Sequence, residues 1–235
     1  MIHTLSMYWN FLKYPKLTKI SKDKGQLLKD FPILMLLDLI IAIIVISTLQ
    51  ILLHFKLIKE YPTRDLFKQF GILITAFLVC IVAPIVEEAL FRYQLGKRTL
   101  GIYFLSLSLG LIALSYVSSE YAKFFIIIVA LLVAIAGDNL IKSLSKVEAY
   151  LLWQKLFVWS FYLTAIIFAF AHLSNIKGLT VTDPSFVLYI SAQFLIGLSL
   201  GYIRLKYGLI YSILFHAVYN GLWTVLMLFG EALLC

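Results

Sequence analysis

The chain has 235 residues, 62% of them hydrophobic and 14% charged, with a mean hydropathy of +0.97. Soluble domains carry about 25% charged residues, so a water-soluble globule is excluded and much of the chain must have lipid as its solvent. The net charge of +8 does not read as a nucleic-acid surface. Six lysines, Lys13, Lys16, Lys19, Lys22, Lys24 and Lys29, crowd ahead of the first long apolar run, where they meet anionic lipid at a cytoplasmic surface. The bilayer is the expected partner, and nucleic acid is not.

In chain order, residues 5–20 carry Trp9, Phe11, Leu12 and several lysines, the make-up of an interfacial helix that Pro15 interrupts. A span takes about 20 apolar residues, and seven stretches qualify: 31–55, 69–95, 99–118, 121–141, 154–175, 186–203 and 208–230. They predict an all-α, polytopic transmembrane helical bundle of about seven spans, within a range of six to eight. A basic cytoplasmic or interfacial segment over 1–30 precedes a single transmembrane domain over 31–235. No β-barrel alternation is present. With the N-terminus cytoplasmic, 14 of the 20 Lys and Arg residues fall on the inner side, which favours that orientation. Cys80, in an apolar run, and Cys235, the last residue, form neither a disulfide framework nor a metal spacing. Cys235 is misplaced for a prenylation box, and the lysine-rich start does not have the pattern of a cleavable signal.

Charges inside spans are costly and point to function. The stretch IVAPIVEEALFRYQ sets Glu87 beside Glu88 deep in the second apolar run. Arg92 follows Glu88 by one helical turn on the same face and can pair with it, which leaves Glu87 free to handle protons. The alternative is an ion cluster that only fixes helix packing. In FAFAHLSN, His172 shares a face with Phe168, four residues earlier, which can shield or stack on the imidazole; packing alone would also account for it. In YSILFHAVYNGLW, His216 and Asn220 are again four apart. Imidazole and carboxamide there can hold a metal, donate to an oxyanion, or serve as interhelical hydrogen-bond glue. The span map sets Glu87 and His216 in the inner half of the bilayer and His172 near the outer end.

EEALFR, FAFAH and HAVYN match, in order, the EExxxR, FxxxH and HxxxN motifs of the CPBP (CAAX protease and bacteriocin-processing, or Abi) intramembrane protease family, which the chain resembles over residues 84–220. Pro84 and the Gly208-Leu209 pair are similar too. The resemblance implies a membrane endopeptidase with its catalytic core within 69–230, in which Glu87 activates water. Glu88 and Arg92 support Glu87, His172 and His216 join the site, and Asn220 helps to hold the tetrahedral intermediate. Glu87, His172 and His216 are also a donor set for zinc with an open position, so metal-free and metal-dependent chemistry both stay open. The implied substrate is a membrane-associated protein or peptide. The Lys- and Ile-rich compact chain has a bacterial character, which points to a bacterial cell membrane and to bacteriocin self-immunity or peptide-signal processing. The interval between Glu87 and His172 is long for the family and holds an extra apolar pair over 99–141.

Other readings compete. A non-catalytic scaffold or regulator of the same fold need not keep two adjacent buried glutamates, and a small proton-coupled transporter should show repeat-related broken helices, which the sequence does not. GLSLG (Gly197, Ser199, Gly201) has the spacing of a nucleophile elbow, but that motif needs a strand before its turn. Within a span, Gly197 and Gly201 read as a small-residue packing face. Asp138 and Asn139 are expected at a helix end, and Trp153, Trp159 and Tyr207 at the membrane interface.

Overall fold

The computed structural model describes residues 1–17, 19–114 and 117–234, with the side chains of 112 and 229–234 outside the described set; Cys235 also lies outside it. Among the described residues, ten α-helices follow one another: α1 (Ile2–Lys13), α2 (Lys24–His54), α3 (Leu66–Phe70), α4 (Ile72–Phe77), α5 (Ala83–Phe91), α6 (Arg98–Leu114), α7 (Glu120–Ser143), α8 (Lys146–Ala171), α9 (Phe186–Tyr207) and α10 (Leu209–Leu234). A π-helical segment, Leu78–Val82, joins α4 to α5, so that one span runs from Ile72 to Phe91. Short 3-10 segments follow α5 (Tyr93–Gly96) and α8 (His172–Asn175). Among the described residues, six helices are long and apolar enough to cross a membrane, and α6 is a shorter apolar helix. At 17 residues it is about 25 Å long, at the lower limit for a span. The architecture is therefore the polytopic helical bundle of about seven spans that the hydropathy pattern predicts.

Local chemistry explains where helices begin. Asp23 caps α2 by accepting from the Gln26 N–H. Ser145 and Glu148 form a capping box that starts α8 at Lys146, eight residues before the apolar run predicts a span, because a cap decides a helix start and hydropathy does not. α1 ends at Lys13, ahead of Pro15.

α9 is the hub. Its Ile196, Leu200 and Ile203 pack with Tyr8 of α1, Leu34 of α2 and Phe215 of α10. Its Leu198 and Leu205 pack with Trp153, Phe157 and Phe161 of α8 and Ile102 of α6. Glycine permits the close α8–α9 contact. A Cβ at Gly201 would stand 2.7 Å from Cε2 of Phe161, and one at Gly197 would stand 3.3 Å from Cδ1 of Phe168. The GLSLG run is thus a packing face, and Ser199 is committed elsewhere: it donates to Asp38 at 2.9 Å and accepts from Tyr8 at 3.0 Å.

Two expected interface anchors are interior. Trp153 is buried against Gly101, and Tyr207 is buried with its hydroxyl on Asp30; Trp159 is exposed. α8 starts so early that Trp153 falls in its packed part, and Tyr207 turns inward to satisfy a buried acid. Asp138 sits inside α7, paired with Lys142 at 2.5 Å. Asp30, fully buried, accepts from Thr4, Gln26, Lys206 and Tyr207 at 2.6–2.8 Å and ties α1 and α2 to α9.

Gly201→Ala forces a methyl against the Phe161 ring. It is expected to lower stability by about 1–3 kcal/mol, read as a lower unfolding temperature of the purified protein in detergent.

Candidate active site

Adjacent residues on a helix point about 100° apart, and this separates the two glutamates. Glu88 faces inward and is fully buried. Its carboxylate meets Arg92 Nη1 at 3.4 Å, accepts from His216 Nδ1 at 3.1 Å and is in hydrogen-bond contact with Ser212 Oγ. Glu87 turns towards α8 and α10. Its Oε2 lies 3.7 Å from Nε2 of His216 and 4.0 Å from Nε2 of His172, and it has no protein hydrogen-bond partner among the described residues although the atom is buried.

The histidines are oriented from behind. His172 Nδ1 lies 2.8 Å from the Phe168 carbonyl. A carbonyl only accepts, so Nδ1 carries the hydrogen and a neutral ring presents the Nε2 lone pair to Glu87. His216 is set the same way by the Glu88 carboxylate. Phe168 is the common wall: its ring packs edge-on against His172 at 4.7 Å and His216 at 5.7 Å, and the Arg92 guanidinium lies over it at 3.9 Å. At such a distance a buried cation gains from the ring's negative face.

The structure therefore brings Glu87, Glu88, Arg92, His172 and His216 together. The depth that the span map gives His172 is corrected by one contact. Gln94, just past α5, donates to Thr164 of α8 at 2.9 Å and puts the two residues at one level. From Thr164 to His172 is about 12 Å of helix, and from Gln94 back to Glu87 about 10 Å. α8 is long and starts well below that level, so its C-terminal His172 ends beside Glu87. Counting depth from span limits fails because the spans do not begin in one plane.

Asn220 sits one turn beyond His216, and its Nδ2 donates to the Val79 carbonyl at 2.9 Å. Val79 lies in the π segment ahead of Pro84. A proline lacks the N–H and crowds the carbonyl four residues back; widening to a π turn relieves the crowding, and Asn220 takes up a carbonyl there. Ser212 is the residue that the motifs do not announce. It stands one turn before His216 on the face that also carries Asn220, so a polar residue at that spacing was its only signal.

Two imidazoles and a carboxylate are zinc ligands by type, but the spacing is wide. With bonds of about 2.0–2.1 Å, tetrahedral ligand atoms stand about 3.3 Å apart, against 3.7 and 4.0 Å here. Among the described residues no three His, Cys, Asp or Glu side chains are arranged to hold a metal ion. As placed, the trio does not fit a metal.

No curated protein and no solved structure matches the chain. The sequence model of the family described as Type II CAAX prenyl endopeptidase Rce1-like matches residues 69–222. That is well over half the chain, and it includes Glu87, Glu88, Arg92, His172, His216 and Asn220. Buried carboxylates, converging imidazoles and the ordered motifs thus coincide with one family of membrane peptide hydrolases, and the chain belongs to the Rce1-like family of type II CAAX prenyl endopeptidases.

Proposed function

We propose that this integral membrane protein hydrolyses a peptide bond of a membrane-associated protein or peptide, with Glu87 as the general base that activates water. The supporting observation is the convergence of the Glu87 carboxylate and two imidazole Nε2 atoms on one small space. A water placed there gives one proton to Glu87 and hydrogen-bonds His172 as its oxygen attacks the carbonyl. Glu88 holds the His216 ring through Nδ1, and Nε2 of His216 lines the space in which the tetrahedral intermediate forms. Glu87 then passes its proton to the leaving amine. Arg92 and Ser212 fix Glu88, and Asn220 fixes the backbone that carries the glutamates and lies close enough in sequence to His216 to serve the same intermediate.

The finer reading rests on composition and resemblance. The lysine distribution favours a cytoplasmic N-terminus, and the chain's character favours a bacterial cell membrane, with bacteriocin self-immunity or peptide-signal processing as its role. In this reading residues 1–30 are a basic interfacial segment, and 31–235 form one transmembrane domain with its catalytic core over 69–230.

Cleavage of a membrane-tethered peptide by the purified protein tests the assignment. Glu87→Gln is expected to lower kcat by about 10²–10⁴-fold with little change in unfolding temperature; if it and His172→Ala both cleave like the wild type, the assignment fails. Glu88→Ala should behave differently: it strands Arg92 in the interior, so activity and about 3–5 kcal/mol of stability go together. Activity is expected to survive a strong chelator. Loss on chelation, restored by zinc, would make Glu87, His172 and His216 metal ligands.

A further inference from the structure

The end of the bundle opposite the lysine-rich N-terminus carries a polar constellation that the hydrolytic chemistry does not use. α2 ends there at His54 and α8 at Ala171, while α4 starts at Ile72 and α9 at Phe186. The connections between these helices meet in an antiparallel bridge between Thr63 and Ile176. The Arg64 N–H donates to the Asn175 carbonyl, and the Lys177 N–H donates to that of Pro62, both at 2.9 Å. Residues opposite each other in such a pair share a face, as do next-but-one residues along a strand. Pro62 is opposite Lys177, so Arg64 lies on the Lys177 face as its diagonal neighbour, about 7–8 Å away by backbone. Both side chains line a cavity of about 480 Å³ with Thr63, Asp65, Lys68 and Gln69.

The charges there do not balance. Asp65 pairs with Lys68 at 3.2 Å and also accepts from its N–H at the start of α3. Arg64 and Lys177 form no ion pair among the described residues, although the bridge holds them side by side. Two cations whose backbones are held this close repel each other, and an anion between them removes the repulsion. The cavity lies on the connection between two candidate spans, Lys24–His54 and Ile72–Phe91, which brings it to a membrane surface. Directly beside it, Ile72, Leu73 and Phe77 of the second span are exposed, an apolar strip suited to acyl chains. We propose that this cavity, through Arg64 and Lys177, binds the phosphate of an anionic phospholipid whose chains run along α4. Asn175, which anchors Arg64, lies three 3-10 residues past His172, about 6 Å, so the bound lipid stands beside the mouth of the active site.

Native mass spectrometry of the purified full chain, titrated with phosphatidylglycerol or phosphatidylcholine in detergent, tests this without reference to proteolysis. The wild type is expected to retain phosphatidylglycerol in preference. Arg64→Gln with Lys177→Gln should weaken it about thirtyfold, two charges' worth at a headgroup surface. Lys16→Gln with Lys19→Gln, which removes the same charge from the opposite end, should weaken it clearly less, because those lysines attract lipid only as diffuse surface charge. Equal losses in both double variants would mean that only the overall field attracts lipid, and would overturn the site. Equal retention of phosphatidylcholine would overturn the anionic class. Inorganic phosphate bound through Arg64 and Lys177 with no lipid retained would make this a free-phosphate site. The bridge is held by backbone groups, so the substitutions leave its hydrogen bonds intact, and an unchanged unfolding temperature verifies it.

Discussion

A carboxylate with no access to water must be surrounded by donors, and Glu88 is such a carboxylate. Isolated in a low-dielectric interior, its charge would be prohibitive. Its neighbours come from more than one helix: Arg92 from its own stretch, and Ser212 and His216 from α10. Arg92 is fully buried in turn; it lies over Phe168 of α8 and reaches the Gly197 carbonyl of α9. Satisfying one charge therefore clamps four helical elements, and the same clamp aims the His216 ring at Glu87. Adjacent glutamates make sense on these terms. One is spent on the scaffold so that the other can be held unpaired.

The packing around that clamp is economical in residue types. Phe168 serves as wall to two imidazoles and a guanidinium, which is possible because Gly197 lets α9 approach its ring. Asn220 and the π segment do for the backbone what Phe168 does for side chains: an irregular turn places Glu87 and Glu88, and a side chain on a neighbouring helix compensates a carbonyl within it. Irregular backbone at membrane depth is tolerated only where other groups satisfy it.

Much of this was legible in the sequence. The apolar runs predict the bundle, and helical spacing alone pairs Glu88 with Arg92, Phe168 with His172, and His216 with Asn220. The depth of His172 was not legible, because hydropathy records which residues are apolar and not where a helix starts relative to its neighbours; the capping box at Ser145 and the Gln94–Thr164 contact decide that. Trp153 and Tyr207 resemble interface anchors by type, and only tertiary contacts reveal them as interior. Ser212 stayed hidden because serine in a span is common and unremarkable until its partner is known.

The acids of α2 bear on how the protein is made. Asp30 and Asp38 leave the ribosome early, within the first apolar helix, yet Lys206 and Tyr207, which donate to Asp30, and Ser199, which donates to Asp38, arrive with α9 more than 160 residues later. Asp30 has Thr4 and Gln26 as early partners, but Asp38 must wait, shielded by the insertion machinery or held near the surface, until the penultimate span is synthesised. The N-terminal helix can meet Asp30 through Thr4 early, but its Tyr8 finds Ser199 only then. Assembly closes from both ends of the chain at once, with α9 as the element whose arrival commits the rest.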